Sequence, residues 1–306
     1  NYGILVEVRT NVVLKNTVVD NFYVGIQLND SFDNIISDNT VQNITHEGIV
    51  LTSFSENNLI LKNLVTGNGG HGISSASDNN EIRENIVTQN DVGISSYANS
   101  GTKIIGNTVQ YNQEDGMEIS SNDTLIENNI ISDNAVSING YGIRAASNGV
   151  SNITIKNNEI SNNKRGIVLE SLNSKIYLNN IVNNSEYGIR AGGSGSEVYQ
   201  NNILNNGLSA TQSSSSVIFS PSSTTGGNYW SDYSPTCVDA NNNNFCDDPY
   251  PFSAGTINVQ DNYVWIIQDG WLTSINTPSN VTLDAIDSTG IVHNYSVSAT
   301  HDGTSM

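Results

Sequence analysis

Basic residues are scarce in this chain and stop early. Its 306 residues hold 11 lysines and arginines against 30 aspartates and glutamates, a formal net charge of −19. All 11 bases lie at or before Arg190, together with 20 acids; residues 191–306 carry the other 10 acids and no base. That balance excludes a polyanionic partner, so neither nucleic acid nor an anionic membrane surface is expected. Long apolar runs are missing too. None approaches the ~18 residues of a membrane-spanning helix, which argues against direct membrane insertion. No signal segment is evident, which fits a mature chain, a trimmed one or a fragment. Cysteine is limited to Cys237 and Cys246, close enough for one local disulfide in an oxidising compartment. Zinc is the weaker reading, because no third or fourth soft ligand stands nearby. Charged residues make up 13% and apolar residues 36%. Such a chain points to a regular polar repeat rather than a compact globule. Disorder, the default for a polar chain, is countered by the periodic placing of Ile, Val and Leu.

What is present is a repeat. A Gly-Ile or Gly-Met pair begins at Gly3, Gly25, Gly48, Gly72, Gly93, Gly116, Gly142, Gly166 and Gly188, at spacings of 22, 23, 24, 21, 23, 26, 24 and 22. A period near 23 is too short for helical hairpins and suits one coil of a β-solenoid. Within each copy, alternation points the residue after the glycine and the residue two further on into a core. The row between them (Leu5, Gln27, Val50, Ser74, Ser95, Glu118, Arg144, Val168 and Arg190) should face outward. Asparagine recurs in register at Asn16, Asn39, Asn63, Asn85, Asn107, Asn129, Asn158, Asn180 and Asn202, and again about five residues on at Asn21, Asn68, Asn90, Asn112, Asn134 and Asn163. Stacked amides at the bends would pair backbone groups that a sharp turn leaves open.

This Gly-Ile…Asn-x-Ile/Val…Asn pattern resembles the parallel β-helix repeat of NosD-like proteins, which is carried by many secreted and archaeal cell-surface proteins. The resemblance implies an all-β, right-handed parallel β-helix of about nine turns over residues 1–207. It does not imply one function, since lyases, epimerases, hydrolases and inert spacers share the fold. Copper handling gives the NosD branch its name. Two Met, four scattered His and a paired Cys couple make a soft-metal site a poor fit.

Residues 208–275 read as a cap. Val217-Ile218-Phe219 would close the coil, and Tyr229, Trp230, Tyr233, Tyr250 and Phe252 would form a small core. The stretch resembles the module that follows such repeats in archaeal surface proteins, whose middle reads as a calcium-like loop. Here Asp239, Asn241 and Asn243 alternate, Phe245 can offer a carbonyl, and Asp247 and Asp248 stand nearby, a set of hard oxygens suited to Ca2+. It departs from an EF-hand at Asn244 and Tyr250. A plain acidic turn held by the disulfide is the alternative. Residues 276–306 alternate like sandwich strands and resemble the start of an Ig-like HYR module, although they are too few to complete one.

Chemistry is sought on the outward positions beside the glycines. Tyr97, Asp115, Glu118, Tyr141, Arg144, Arg165, Glu170, Tyr187 and Arg190 fall on neighbouring turns. Asp115, Glu118 and Arg144 are the candidate catalytic set, beside an expected bulge at Ala135–Asn139; a solvated face with ion pairs such as Glu118 with Arg144 is the plainer reading. His71 is a possible partner of Glu47. Sequons at Asn29, Asn43, Asn122, Asn152, Asn183, Asn280 and Asn294 are candidate glycosylation sites. The expected protein is an extracellular, cell-surface structural rod whose partners are like subunits, further modules of its own polypeptide or surface glycans; the alternative is a polysaccharide-binding or polysaccharide-modifying protein.

Overall fold

The computed structural model of the chain describes residues 1–134, 140–146, 149–212, 216–252, 259–272, 281–286 and 292–297. The expected bulge at 135–139 and the sequon at Asn280 lie outside them. Contacts divide the chain into two units, 1–270 and 271–306. Within the first, 29 strands coil into three parallel sheets of ten, nine and ten strands, a right-handed-type parallel β-helix. The first sheet runs from Tyr2–Glu7 to Ala210–Gln212, the second from Val13–Lys15 to Glu197–Tyr199, and the third from Val18–Asp20 to Tyr229–Trp230.

Alternation in the sequence becomes stacking in the core. In the first sheet Ile26, Ile49, Ile73, Ile94, Met117, Ile143, Ile167 and Ile189 stand one above another and are fully buried. Ile36 to Val198 do the same in the second sheet, and Val19 to Ile203 in the third. Each row exposes to the next turn a side chain of matching shape, so burial repeats every turn. The outward row corrects the sequence reading at three points. Ser74, Ser95 and Val168 are only 2–3% exposed. The two serines stand in register between Val50 and Glu118, and Val168 stands between Arg144 and Arg190, so longer neighbours flank each of them.

The glycines answer a steric demand. A Cβ on Gly93 would lie 2.5 Å from the carbonyl oxygen of Gly116 and from Val109 Cγ1, and 2.9 Å from the Asn112 amide nitrogen. Backbone, core and corner all meet at that point.

The corners are amide ladders, shifted by one residue at several rungs. Between the second and third sheets the rungs are Asn39, Asn63, Asn85, Asn107, Asn129, Asn158, Asn179, Asn201 and Asn228. The backbone N–H and side-chain Nδ2 of each rung donate to Oδ1 of the next, at 2.9 and 3.0 Å for Asn85 on Asn107. Asn85 Nδ2 also donates to the Ile60 carbonyl oxygen at 2.9 Å. Asn16, Asn180 and Asn202, expected as rungs, are not. The residue before each rung from Asn39 to Asn201 takes the left-handed conformation; Asn16 is such a residue (φ 54°), followed by Thr17 at the rung position, and Leu178 and Gln200 precede Asn179 and Asn201. A second ladder runs Asn68, Asn90, Asn112, Asn134, Asn163, Asn184 and Asn206; Asn21 is again the left-handed residue (φ 61°) before it. A third corner begins with Asn34, Asn58 and Asn80 and later uses Ser174 and Ser196.

The coil closes on aromatic rings. Val217, Phe219 and Trp230 are buried, while Ile218 is 44% exposed. Trp230 stacks on Tyr250 with centroids 4.3 Å apart, and Phe219 packs on Phe252 at 4.4 Å. Tyr233 meets Tyr250 edge-on, but Tyr229 makes no ring contact among the described residues. Cys237 and Cys246 are joined by a disulfide. Beneath the rings Asp261 is wholly buried. It accepts from the Asn228 N–H and Nδ2 and from Trp230 Nε1 through Oδ2, and from the Tyr263 N–H through Oδ1. The second unit contains an antiparallel pair, Val281–Ile286 with Val292–Val297.

Candidate functional site

The outward positions beside the glycines converge around Arg144. Asp115 precedes Gly116, and Glu118 lies in register with Arg144 one turn on. Arg144 Nε donates to Asp115 Oδ2, and its Nη2 lies 2.8 Å from Glu118 Oε1. The Tyr141 N–H donates to Asp115 Oδ1 at 2.9 Å. Asp115 is 3% exposed, and burial pushes its carboxyl up from the usual range although Arg144 pulls it down. Glu114 beside it is pushed the same way, by burial and by the carboxylates of Asp91 and Asp115.

A second cluster adjoins the first. Arg165 donates to Glu186 and to the Tyr141 hydroxyl, at 2.8 and 2.9 Å. Its guanidinium lies 5.0 Å from the Tyr141 ring centre and 5.8 Å from that of Tyr187. Burial raises the Tyr187 hydroxyl pKa, with Tyr141 adding to the shift. Arg190 pairs with Glu170 at 2.9 Å, and Tyr97 is 40% exposed. Asp115, Glu118 and Arg144 are thus brought together with Tyr141, Arg165 and Tyr187. Glu186 completes the group and was not singled out from sequence; its place just before Tyr187-Gly188 was the available signal.

The arginines of this face are all paired with carboxylates. Eight of the chain's 11 bases, among them Arg144, Arg165 and Arg190, pair with carboxylates on their own or adjacent turns. Exposed pairs of this kind contribute roughly 0–1 kcal/mol each. The Arg144–Asp115 pair differs because one partner is buried. Arg144→Ala is expected to cost about 1–3 kcal/mol in urea unfolding by leaving Asp115 without its cation, whereas Glu118→Gln should change stability by less than about 0.5 kcal/mol.

The other candidate positions lie apart. Asp239 accepts the N–H groups of Asn243 and Asn244, at 3.0 Å each. Asp247 accepts the Ala240 N–H at 2.9 Å and the Asn241 amide at 3.0 Å, and Asn243 accepts the Phe245 N–H at 2.9 Å. Asp248 offers its carbonyl oxygen to the Tyr233 hydroxyl. The loop therefore supplies hard oxygens, with both main carboxylates turned onto its own donors. Of the sequons, Asn43, Asn152 and Asn183 are exposed, while Asn29 and Asn122 are half-buried and accept hydrogen bonds from Thr52 and Ser151. The side chain of Asn294 is not among those described. His46 packs on Tyr23 at 4.1 Å, and no ion pair joins His71 to Glu47 among the described residues.

Soft-metal ligands do not assemble. Both cysteines are joined to each other, Met117 is fully buried in the coil, and no three His, Cys, Asp or Glu side chains converge to hold a metal among the described residues. This donor set does not fit copper. No described helix is long and apolar enough to cross a membrane.

Known structures share the architecture. The chain is similar to the A-module of the Azotobacter vinelandii mannuronan C-5 epimerase AlgE4 (18% identity, TM-score 0.58, covering 67% of this chain and 62% of that one). It is also similar to the periplasmic alginate epimerase AlgG (23%, 0.51, 56% and 45%). The enzymatically active domain of bacteriophage CBA120 tailspike protein 2 is a third (12%, 0.53, 74% and 41%). Each match spans less than two thirds of the other chain, and at these identities it establishes the fold. No curated protein sequence matches. The repeat, the three sheets and the corner ladders converge with a family model described as periplasmic copper-binding protein (NosD), which matches residues 1–144 and 117–235: the chain belongs to the NosD family.

Proposed function

We propose that this chain is an extracytoplasmic structural protein, a rigid β-helix building block of a cell-surface layer, sheath or filament. The observation that carries the reading is the corner ladder: nine asparagine rungs in unbroken register, ending on a buried carboxylate. A coil fastened this way resists bending, and eight of its 11 basic side chains are engaged with carboxylates of the same coil. The disulfide and the periplasmic description of the family support an oxidising compartment outside the cytoplasm. Negative-stain microscopy of the purified chain at high concentration in calcium is expected to show end-to-end filaments or lattices. Dispersed single particles at every concentration would overturn the assembly reading.

Calcium belongs to this reading as a brace of the cap. It would be held by Asp239, Asn241, Asn243, the Phe245 carbonyl and Asp247 or Asp248, with Asp239 and Asp247 released from the loop N–H groups that they now accept. Adding 5 mM Ca2+ after chelation is expected to raise the cap's melting temperature, and an Asp239→Ala variant should lose that rise. An identical melting temperature with and without calcium would remove the metal from the account.

A second reading, polysaccharide binding or modification on the 97–190 face, is favoured by one observation. Asp115 is a buried carboxylate with a raised pKa, held by an arginine and by the Tyr141 N–H, the kind of perturbed group that acid–base chemistry on sugars employs. Arg144→Ala and Glu118→Gln that left all carbohydrate binding unchanged would eliminate it.

A further inference from the structure

A different face of the coil carries a groove that neither cluster uses. Strands Glu159–Ser161, Asn180–Val182 and Asn202–Leu204 stack there on three successive turns of the third sheet. Their outward side chains and the cap loop that carries Gln268 border a space of about 370 Å³, within the range of small-ligand sites. The loop is tied to the coil. Asp269 donates its N–H to Asn202 Oδ1 at 3.1 Å, and Asn202 Nδ2 donates back to Asp269 Oδ1 at 2.7 Å. The end wall of the groove is therefore held in place.

The chemistry of the lining is unlike that of the corners. Ladder amides are buried and engaged on both sides. Asn162, Asn183 and Gln268 border the groove, are exposed, and make no side-chain hydrogen bond within the described protein. Each presents one carbonyl acceptor and two N–H donors, the complement of a pair of hydroxyls on adjacent carbons. Val182 and Leu204 are half-buried and give apolar patches against which the C–H face of a sugar ring can rest. The one charged lining residue is Glu159, which has no ion-pair partner among the described residues. No cation lines the groove to receive a carboxylate or phosphate. We propose that this groove binds a neutral saccharide laid across the three turns. The proposal goes beyond the assembly reading and is independent of the Arg144 face.

Calorimetric titration of the whole chain with cellohexaose, mannohexaose and maltohexaose tests it, with a mannuronate hexamer as the charged comparison. The protein is produced without N-glycosylation, since Asn183 stands in a sequon at the groove. At least one neutral hexasaccharide should bind and the mannuronate hexamer should bind more weakly. Asn162→Ala combined with Gln268→Ala, both at exposed positions, should weaken binding roughly tenfold, and Val182→Trp should abolish it. Circular dichroism confirms that each variant keeps its fold. Absence of binding by all three neutral probes, equal binding by the double variant, or tighter binding of the mannuronate hexamer would overturn the proposal.

Discussion

Asp261→Ala is expected to loosen the cap while the coil stays folded. The substitution leaves the Asn228 N–H, the Trp230 indole N–H and the Tyr263 N–H facing a dry space without the acceptor they use, while Asn228 Nδ2 keeps the carbonyl oxygens of Val198 and Phe219. Buried donors left unmade cost about 1–3 kcal/mol each, offset in part by removing a buried charge, so a net loss of about 3 kcal/mol is expected. Trp230 and Trp265 are both buried in the cap region, and the coil supplies nearly all the β-structure. Tryptophan fluorescence should therefore melt ahead of far-UV circular dichroism in the variant. Coincident, unshifted transitions would refute the role given to Asp261.

The same carboxyl gives the cap a pH dependence of a definite sign. Burial raises its pKa from 3.8 to about 6 in the folded chain, against the opposing pull of its hydrogen bonds. The folded state therefore holds the proton more tightly than the unfolded state. The associated stability is fully present below pH 3.8 and is lost as pH rises towards 6, amounting to about 3 kcal/mol. Asp261→Asn should flatten that slope, because the group no longer titrates. A variant that retained the slope would assign it to other carboxyls.

Asn107→Ala is the second large effect. Asn107 Oδ1 accepts both the N–H and the Nδ2 of Asn85, and its Nδ2 donates to Asn129, Ile82 and Ile105. Alanine removes all of these at a position 1% exposed, so a loss of about 2–4 kcal/mol in denaturant unfolding is expected. Asn107→Thr should cost less. The third corner already uses hydroxyls in this role, where Ser174 Oγ accepts the Ile153 N–H and Ser196 Oγ that of Ser174. Equal losses for alanine and threonine would mean that a hydroxyl cannot stand in for the amide at this corner.

Much of the coil is legible in the residues themselves. Period-two alternation after each glycine names the inward rows, because a solenoid has only one inside. The asparagine phase is harder to read. Where two asparagines adjoin, as at Asn179-Asn180 and Asn201-Asn202, composition cannot tell the rung from its neighbour. Backbone decides it, since left-handed Leu178 and Gln200 come immediately before Asn179 and Asn201. The third corner is hidden because its chemistry changes from amide to hydroxyl along the coil. Asp261 is hidden for another reason: it lies 33 residues from Asn228, and nothing local marks a lone aspartate as the last acceptor of a ladder. Around Arg144, register pairs Glu118 with the arginine from sequence alone. Asp115 joins them because the chain just before Gly116 turns its carboxylate beneath Arg144, which alternation along a strand does not describe.

The amide rungs all face the same way. Every Oδ1 receives from the turn before it, and the backbone N–H of every rung from Asn39 through Asn201 points to the turn after it. Dipoles aligned head to tail add, as they do along an α-helix, and leave partial positive charge at the last donor. There Asn228 meets the carboxylate of Asp261. The coil is thus an electrically polar rod whose two ends are not equivalent, and an acid is the fitting terminus at one of them alone. A neighbour joining head to tail would continue the field, and one joining head to head would oppose it.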